Sequence, residues 1–215
     1  MGSQSSRNIG HRKRFDPGEV LLDASVFRGP VDLREVFGND RPVEVEIGTG
    51  KGTFLLARAQ ARPDVNLLGI EYAKPYCYYA GDRARRHGLG NVRMLHTDAA
   101  GVFEKALADG SIWRVHIYFP DPWPKRRHHR RRLIQPRFVE HLRRVLAPGG
   151  QLLVVTDHMG YYTHIRRVLA DVPQMARIPL PRLAGFGGEM VGTNFERKYI
   201  AQGRRFYAQA RLRYV

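Results

Sequence analysis

One junction constrains this chain more than any other: "VEVEIGTGKGTFLLA", residues 43–57, where a run of strand-forming residues meets three closely spaced glycines and then a helical pattern. Glycine lets the backbone turn sharply and approach a ligand closely. In an open α/β sheet the turn between the first strand and the first helix lies over the carboxyl ends of the strands, where ligands bind. The same rhythm continues along the chain. "NLLGIEY" (66–72), "VRMLH" (92–96), "VHIYF" (115–119) and "QLLVVT" (151–156) read as strands, and "TFLLARAQA", "AKPYCYYAGDRARRH", "GVFEKALA" and "QPRFVEHLRRVL" read as the helices between them. Helix stops fall at His87–Gly88 and at "APGG" (147–150). Such alternation predicts a parallel sheet with helices on both faces.

Two stretches depart from the rhythm. Asp171 to Gly192, with Pro173, Pro179, Pro181 and four glycines, reads as a long surface connection, after which "FYAQARLRYV" (206–215) alternates as a terminal strand does. The opening "MGSQSSRNIGHRKRF" is polar and basic and is expected to be mobile. The expected organisation is therefore a basic, partly flexible segment over residues 1–40 and a single domain over 41–215.

The glycine spacing limits the ligand. Gly48, Gly50 and Gly52 follow G-x-G-x-G, and Thr53 stands where a dinucleotide fingerprint requires its third glycine. Glu46, just ahead of the loop, would repel a pyrophosphate and suits a cationic ligand. Glu71 closes the second strand, where an acid accepts hydrogen bonds from both ribose hydroxyls of an adenosine. Asp98 follows the third strand, within reach of an adenine amino group. Ordinary helix capping by Asp98 and a salt bridge for Glu71 are the alternatives. Three acids at successive strand ends suit a cofactor that carries ammonium, sulfonium, hydroxyl and amine groups, as S-adenosylmethionine does.

Beyond the fourth strand comes "YFPDPWPKRRHHRRRL" (118–133), in which one acid, Asp121, is stiffened by Pro120, Pro122 and Pro124 and followed by six Lys/Arg between 125 and 132. Trp123 offers a flat face to a base. The whole chain has 36 Lys+Arg against 20 Asp+Glu, a formal charge of +16, so a polyanionic partner is expected, with a solubility surface or an anionic-membrane patch as the alternative. A carboxylate fixed beside a base pocket has a specific use. Guanine N7 carries an in-plane lone pair and no proton at neutral pH, so its methylation needs no general base. Positive charge grows on the base as the bond forms, and Asp121 would stabilise that charge or hold the guanine by its N1–H and N2–H donors.

Other classes are excluded or disfavoured. Cys77 is the only cysteine, so neither an intrachain disulfide nor a cysteine-based zinc site can form. The histidines make no H-x-x-x-H pair with a nearby acid, and no metal is expected. No apolar run reaches the length of a membrane span, and the opening lacks the apolar core of a signal peptide, so a cytoplasmic location is expected.

The segments "VEIGTGKG", "GIE", "HTDA", "PDPWPKRRHHRRRL", "APGGQLLVVTDH" and "TNFERK", in this order from about Glu44 to Arg205, resemble the bacterial tRNA (guanine-N7-)-methyltransferases. The resemblance implies a Rossmann-like class I methyltransferase fold, a doubly wound and mostly parallel sheet whose last strand is antiparallel. It implies S-adenosylmethionine as methyl donor, S-adenosylhomocysteine as product, and a guanosine of the tRNA variable loop as target. It also implies that Glu46, Glu71, Asp98 and Asp121 line the cofactor pocket with Gly48, Gly50 and Gly52, and that Asp121 is catalytic. Lys125, Asp157, Thr193, Asn194, Phe195 and Glu196 would then serve the substrate. The alternatives are a base-amino methyltransferase acting on rRNA or DNA, whose turns place two prolines before the aromatic, and a non-catalytic RNA-binding module. A nicotinamide oxidoreductase is disfavoured by Thr53 and by the charge.

Overall fold

The computed structural model describes residues 15–181 and 189–214. In chain order the elements are β1 (Leu21–Leu22), α1 (Leu33–Phe37), β2 (Val43–Ile47), α2 (Thr53–Ala61), β3 (Asn66–Ile70), α3 (Lys74–Arg86), β4 (Val92–Leu95), α4 (Ala99–Lys105) and β5 (Ile112–Tyr118), followed by α5 (Pro136–Val145), β6 (Leu146–Thr156), α6 (Met159–Val168), β7 (Met175–Ile178), α7 (Asn194–Ile200) and β8 (Tyr207–Arg213). All eight strands form one sheet in the order β1-β4-β3-β2-β5-β6-β8-β7. Pairing is parallel from β1 through β6, while β8 runs antiparallel to both β6 and β7.

Both faces of the central strands are covered, so they are rich in apolar residues, although β2 also buries Glu44 and Glu46 and β5 buries His116. Every residue of β2 and β3 is buried. On one face a large core joins Val45, Ile47, Ile117, Phe103, Phe138, Leu142 and Val154. On the other, Leu55, Leu67, Ala80 and Met94 pack α2 and α3 against the sheet. Burial of such side chains contributes about 1.5–3 kcal/mol each, which sets the register of the strands that carry the loops.

The chain leaves β2 toward β3 and β4 on one side and returns to β5 on the other, with Ile47 beside Ile117. The loops after β2 and β5 therefore emerge next to each other, at the crevice where the strand order reverses.

The expected helix ends hold: α3 stops at Arg86 with Gly88 at φ +64, and α5 stops at Val145 ahead of the 147–150 stretch. One expectation is corrected. The 171–192 connection contains the edge strand β7, which pairs with β8 from Met175↔Arg213 to Ile178↔Ala210. Four residues between prolines carry too little periodicity to show a strand; its partner creates it. Helices α1, α6 and α7, which the periodicity did not single out, complete the layers.

The expected mobile opening lies outside the described residues except for Phe15, whose ring meets Tyr79 edge-on at 4.9 Å. Residues 15–40 pack onto the same body: β1 extends the sheet beside β4, and Phe27, Leu33 and Phe37 enter the core. Among the described residues no helix is long and apolar enough to cross a membrane.

Candidate active site

The glycine loop divides its work. Gly48, Gly50 and Gly52 all have positive φ (+77, +53 and +71). A Cβ on Gly48 would meet nothing within 4 Å, and one on Gly50 would meet only the Phe195 ring at 3.9 Å, so these two turn bare backbone toward the cleft. A Cβ on Gly52 would sit 2.8 Å from that of Ala80, so the third glycine lets α2 close onto α3. Glu71 braces the loop from β3: its carboxylate accepts from the Gly50 N–H and from the Ala73 N–H, both at 2.8 Å.

Glu46 lies in β2, two residues before Gly48, and is 3 % exposed. Its Oε2 has no hydrogen-bond partner among the described residues, and neither has the buried Oγ1 of Thr49 in the loop itself. Burial, reinforced by the Glu71 charge, pushes the Glu46 carboxyl well above the ordinary glutamate range. A buried acid with an orphaned oxygen needs either a proton or a cation. Asp98 takes the N-cap position of α4, yet its exposed carboxylate makes no capping bond.

Behind Glu46 lies a group that the sequence did not disclose. Glu44, fully buried in β2, accepts from Arg58 Nε at 2.9 Å and Nη2 at 2.7 Å, from Arg114 Nη1 at 3.2 Å and from His116 Nε2 at 2.9 Å. A carboxylate only accepts, so His116 carries its proton on Nε2 and its Nδ1 accepts from the Tyr118 hydroxyl at 2.7 Å. The Phe54 ring at the start of α2 lies 4.8 Å from His116 and 5.0 Å from Tyr118, which ties the glycine-loop helix to the strand of Asp121.

The turn after β5 is strained on both sides of Asp121. Phe119 has φ +51 and Trp123 φ +43. Such conformations cost about 1–3 kcal/mol each and persist only where the surroundings impose them. Here Phe119 is held by an aromatic cluster: Tyr199 at 5.6 Å, Phe206 at 5.4 Å and Phe195 at 6.5 Å between centroids. Trp123 is held by the Arg131 guanidinium 5.0 Å over its ring and by His128 edge-on at 5.9 Å. Asp121 itself is exposed and makes no ion pair among the described residues.

The basic run after it forms a 3-10 helix from Arg126 to Arg131, with Lys125 as its exposed N-cap. The reading that all these arginines face a polyanion is corrected for Arg132. It is 4 % exposed, its Nε donates to the Pro122 carbonyl at 2.9 Å, and it stands 4.9 Å over the Tyr161 ring. Arg132 holds the turn; the other five cations of the run are exposed, Arg131 while stacked over Trp123.

The Thr193–Glu196 run begins α7. The Thr193 hydroxyl accepts from the Glu196 N–H at 3.0 Å, and the buried Glu196 carboxylate accepts from the N–H groups of Met190, Val191 (2.9 Å) and Gly192 (2.7 Å). Both side chains thus shape the backbone, while Asn194 and Phe195 are exposed and Phe195 reaches the glycine loop. Asp157 follows β6 and pairs with Arg204 at 2.6 Å. Tyr199, Phe206 and Arg204 carry almost no local signal in the sequence; the one such signal is the four-residue spacing from Phe195 to Tyr199, which places both on one face of a helix.

A doubly wound sheet, a glycine loop at its reversal point with an orphaned acid beneath it, and an exposed aspartate on the adjoining turn define a Rossmann-like class I methyltransferase architecture. Solved structures agree on the fold. A SAM-dependent methyltransferase from Aquifex aeolicus superposes with a TM-score of 0.55 at 14 % identity, covering 93 % of this chain and 100 % of that one. A 30S ribosomal A1408 methyltransferase from an uncultured bacterium gives 0.58 at 13 % identity, over 86 % and 95 %. A family described as putative methyltransferase matches residues 40–209. Among relatives, the tRNA (guanine-N(7)-)-methyltransferase of Alkalilimnicola ehrlichii is 39 % identical over 83 % of this chain and 75 % of its own length. That of Nocardia farcinica is 46 % identical over 67 % and 54 %. The chain belongs to the tRNA (guanine-N(7)-)-methyltransferase family.

Proposed function

We propose that this protein transfers a methyl group from S-adenosylmethionine to N7 of a guanosine in the tRNA variable loop, in the cytoplasm, with residues 41–215 as the methyltransferase domain. The observation that carries the reading is the placement of Asp121: exposed, unpaired among the described residues, and on a strained turn beside the glycine loop. The residues fit the cofactor. The orphaned Glu46 oxygen and Thr49 hydroxyl await polar partners, and bare Gly48 and Gly50 leave room for a ligand against the backbone. Glu46 would meet its cationic end, Glu71 the ribose and Asp98 the adenine.

When bound, S-adenosylmethionine supplies an electrophilic methyl group on sulfonium. The chain's own contribution is alignment and charge. Asp121 faces the purine as it becomes cationic, and no residue has to remove a proton from N7. Lys125, the cations of the 3-10 helix, Asn194 and Phe195 rim the substrate side, and Thr193 and Glu196 fix that rim in place.

Unmodified total tRNA incubated with labelled cofactor and digested to nucleosides is expected to yield 7-methylguanosine. A different methylated nucleoside, or none, would overturn the proposal. Binding should also weaken steeply with salt, by about 0.7–0.9 log units per log unit of salt for each phosphate neutralised; a flat titration would remove the basic run from the interface.

Glu46→Gln should separate stability from binding. With its carboxyl raised by burial, Glu46 costs nothing below the ordinary value of 4.5, and its cost grows as pH rises toward the folded-state value. The neutral amide escapes that cost, so the ligand-free variant should melt higher at neutral pH. It should bind S-adenosylhomocysteine roughly 10–100-fold more weakly, since a charged hydrogen bond is lost. Melting curves and calorimetry check both signs.

A further inference from the structure

Arg204 and Tyr199 lie just past the TNFERK run, outside every sequence motif that marks the site. Arg204 follows α7 and Gly203, and its Nη1 donates to Asp157 Oδ2 at 2.6 Å. The same guanidinium carbon stands 4.3 Å from the centroid of the Tyr199 ring. Tyr199 in turn meets Phe119 edge-on at 5.6 Å, at the head of the turn that carries Asp121. Burial raises the Tyr199 phenol, Asp157 and Asp121 add to the rise and Arg204 opposes it, so both carboxylates act on this ring's hydroxyl.

The arrangement has the form of an occupied base site. A guanidinium is a planar N–C–N fork of donors that stacks on aromatic faces. The N1–H and 2-amino edge of guanine is the same fork, built into a ring that also stacks. Resting on the tRNA-guanosine reading above, in which Asp157 already serves the substrate, we propose that Arg204 is an internal placeholder for the guanine, stacked on Tyr199 and paired with Asp157 until the entering base displaces it.

The topology supports this assignment. Asp157 lies beyond β6, Asp121 beyond β5 and the glycine loop beyond β2, three neighbouring strands. Two strand spacings, about 10 Å, suit a purine hydrogen-bonded at one end and reacting at the other. N7 lies across the ring system from the donor edge, so a guanine held at Asp157 directs N7 toward the glycine loop and passes Asp121 on the way. The donor edge then belongs to Asp157, and Asp121 is left for the growing charge. The Arg204 side chain is 47 % exposed and has solvent to turn into.

The test is calorimetric binding of guanosine 5′-monophosphate to the full chain saturated with S-adenosylhomocysteine, with adenosine 5′-monophosphate as control. Removing the placeholder by Arg204→Gln should tighten guanosine monophosphate roughly fivefold, the order expected for one exposed ion pair and one cation–π contact. The KM for tRNA should fall while kcat is retained, adenosine monophosphate should not change, and Tyr199→Leu should weaken the guanine nucleotide. Arg204→Lys, which keeps the charge without the fork, should show a smaller gain and serves if the glutamine variant folds poorly. Unchanged or weaker guanine binding in both Arg204 variants, or an equal gain for the adenine nucleotide, overturns the placeholder. The two readings fail separately. Absence of 7-methylguanosine from the wild-type reaction sinks the activity, whereas 7-methylguanosine without a guanine gain in the Arg204 variants sinks only this inference.

Discussion

Asp121→Asn is expected to lower single-turnover methylation of tRNA by about 10²–10³-fold, the usual cost of removing one preorganised electrostatic group from a transition state. The affinities for tRNA and for S-adenosylhomocysteine should stay nearly unchanged. The asparagine keeps the size of the side chain, the flanking prolines and the φ > 0 residues Phe119 and Trp123, so the turn keeps its shape. It loses only the negative charge. That charge matters little before reaction, when guanine is neutral, and most when N7 turns cationic, so the defect belongs in kcat and not in binding. Because Asp121 is exposed and unpaired among the described residues, the substitution breaks no internal ion pair and the melting temperature should hold. Rapid-mix methylation assays at saturating cofactor decide the matter. Turnover within a few-fold of wild type would take Asp121 out of the chemistry.

The second large effect falls on folding. Glu44→Gln should destabilise the protein by about 3–5 kcal/mol, because it leaves the buried Arg58 and the half-buried Arg114 without their counter-charge. Burial by itself would raise the Glu44 carboxyl, but the hydrogen bonds from His116 and Arg58 outweigh it and hold the group far below the ordinary glutamate range. Its contribution is therefore complete above the ordinary value of 4.5 and is lost as pH falls from there toward the folded-state value. Burial depresses the His116 imidazole despite its bond to Glu44, so the histidine adds an earlier loss that begins as pH falls below its ordinary 6.5. Urea unfolding of the wild type across acid pH should show stability declining first through the histidine range and then through the carboxylate range. In Glu44→Gln the second decline should shrink. A variant as stable as the wild type would mean that the arginines find other partners and that the network is dispensable.

The two predictions fall on residues of different legibility. Asp121 could be picked out from the sequence because three prolines and an adjoining basic run mark it within a few positions. Strands β2 to β4 and the core of β5 and β6 are legible for a similar reason: short runs of β-branched and aliphatic residues, in β2 alternating with Glu44 and Glu46, are bounded by glycine or helical patterns a few positions away. Glu44 offered no such mark. Its partners Arg58, Arg114 and His116 lie 14, 70 and 72 residues away; the β2–β5 register brings Arg114 and His116 to it, and the packing of α2 on the sheet brings Arg58. The substrate side divides similarly. The resemblance assigns Thr193 and Glu196 to the substrate side, and in the fold their side chains hold the start of α7 while the exposed Phe195 reaches the glycine loop.

What the sequence determined by itself is therefore what short-range rules govern: the alternation of strand and helix, the bare glycine loop, the stiffened turn of Asp121 and the excess of positive charge. The tertiary structure alone decided which charges are buried and paired, that Arg132 turns inward, that β7 exists and that Arg204 lies on Tyr199 against Asp157. The physical reason is range. Backbone turns and apolar periodicity are set by residues a few positions apart, whereas an ion pair or a stacked ring takes its meaning from a partner that only the closed sheet supplies.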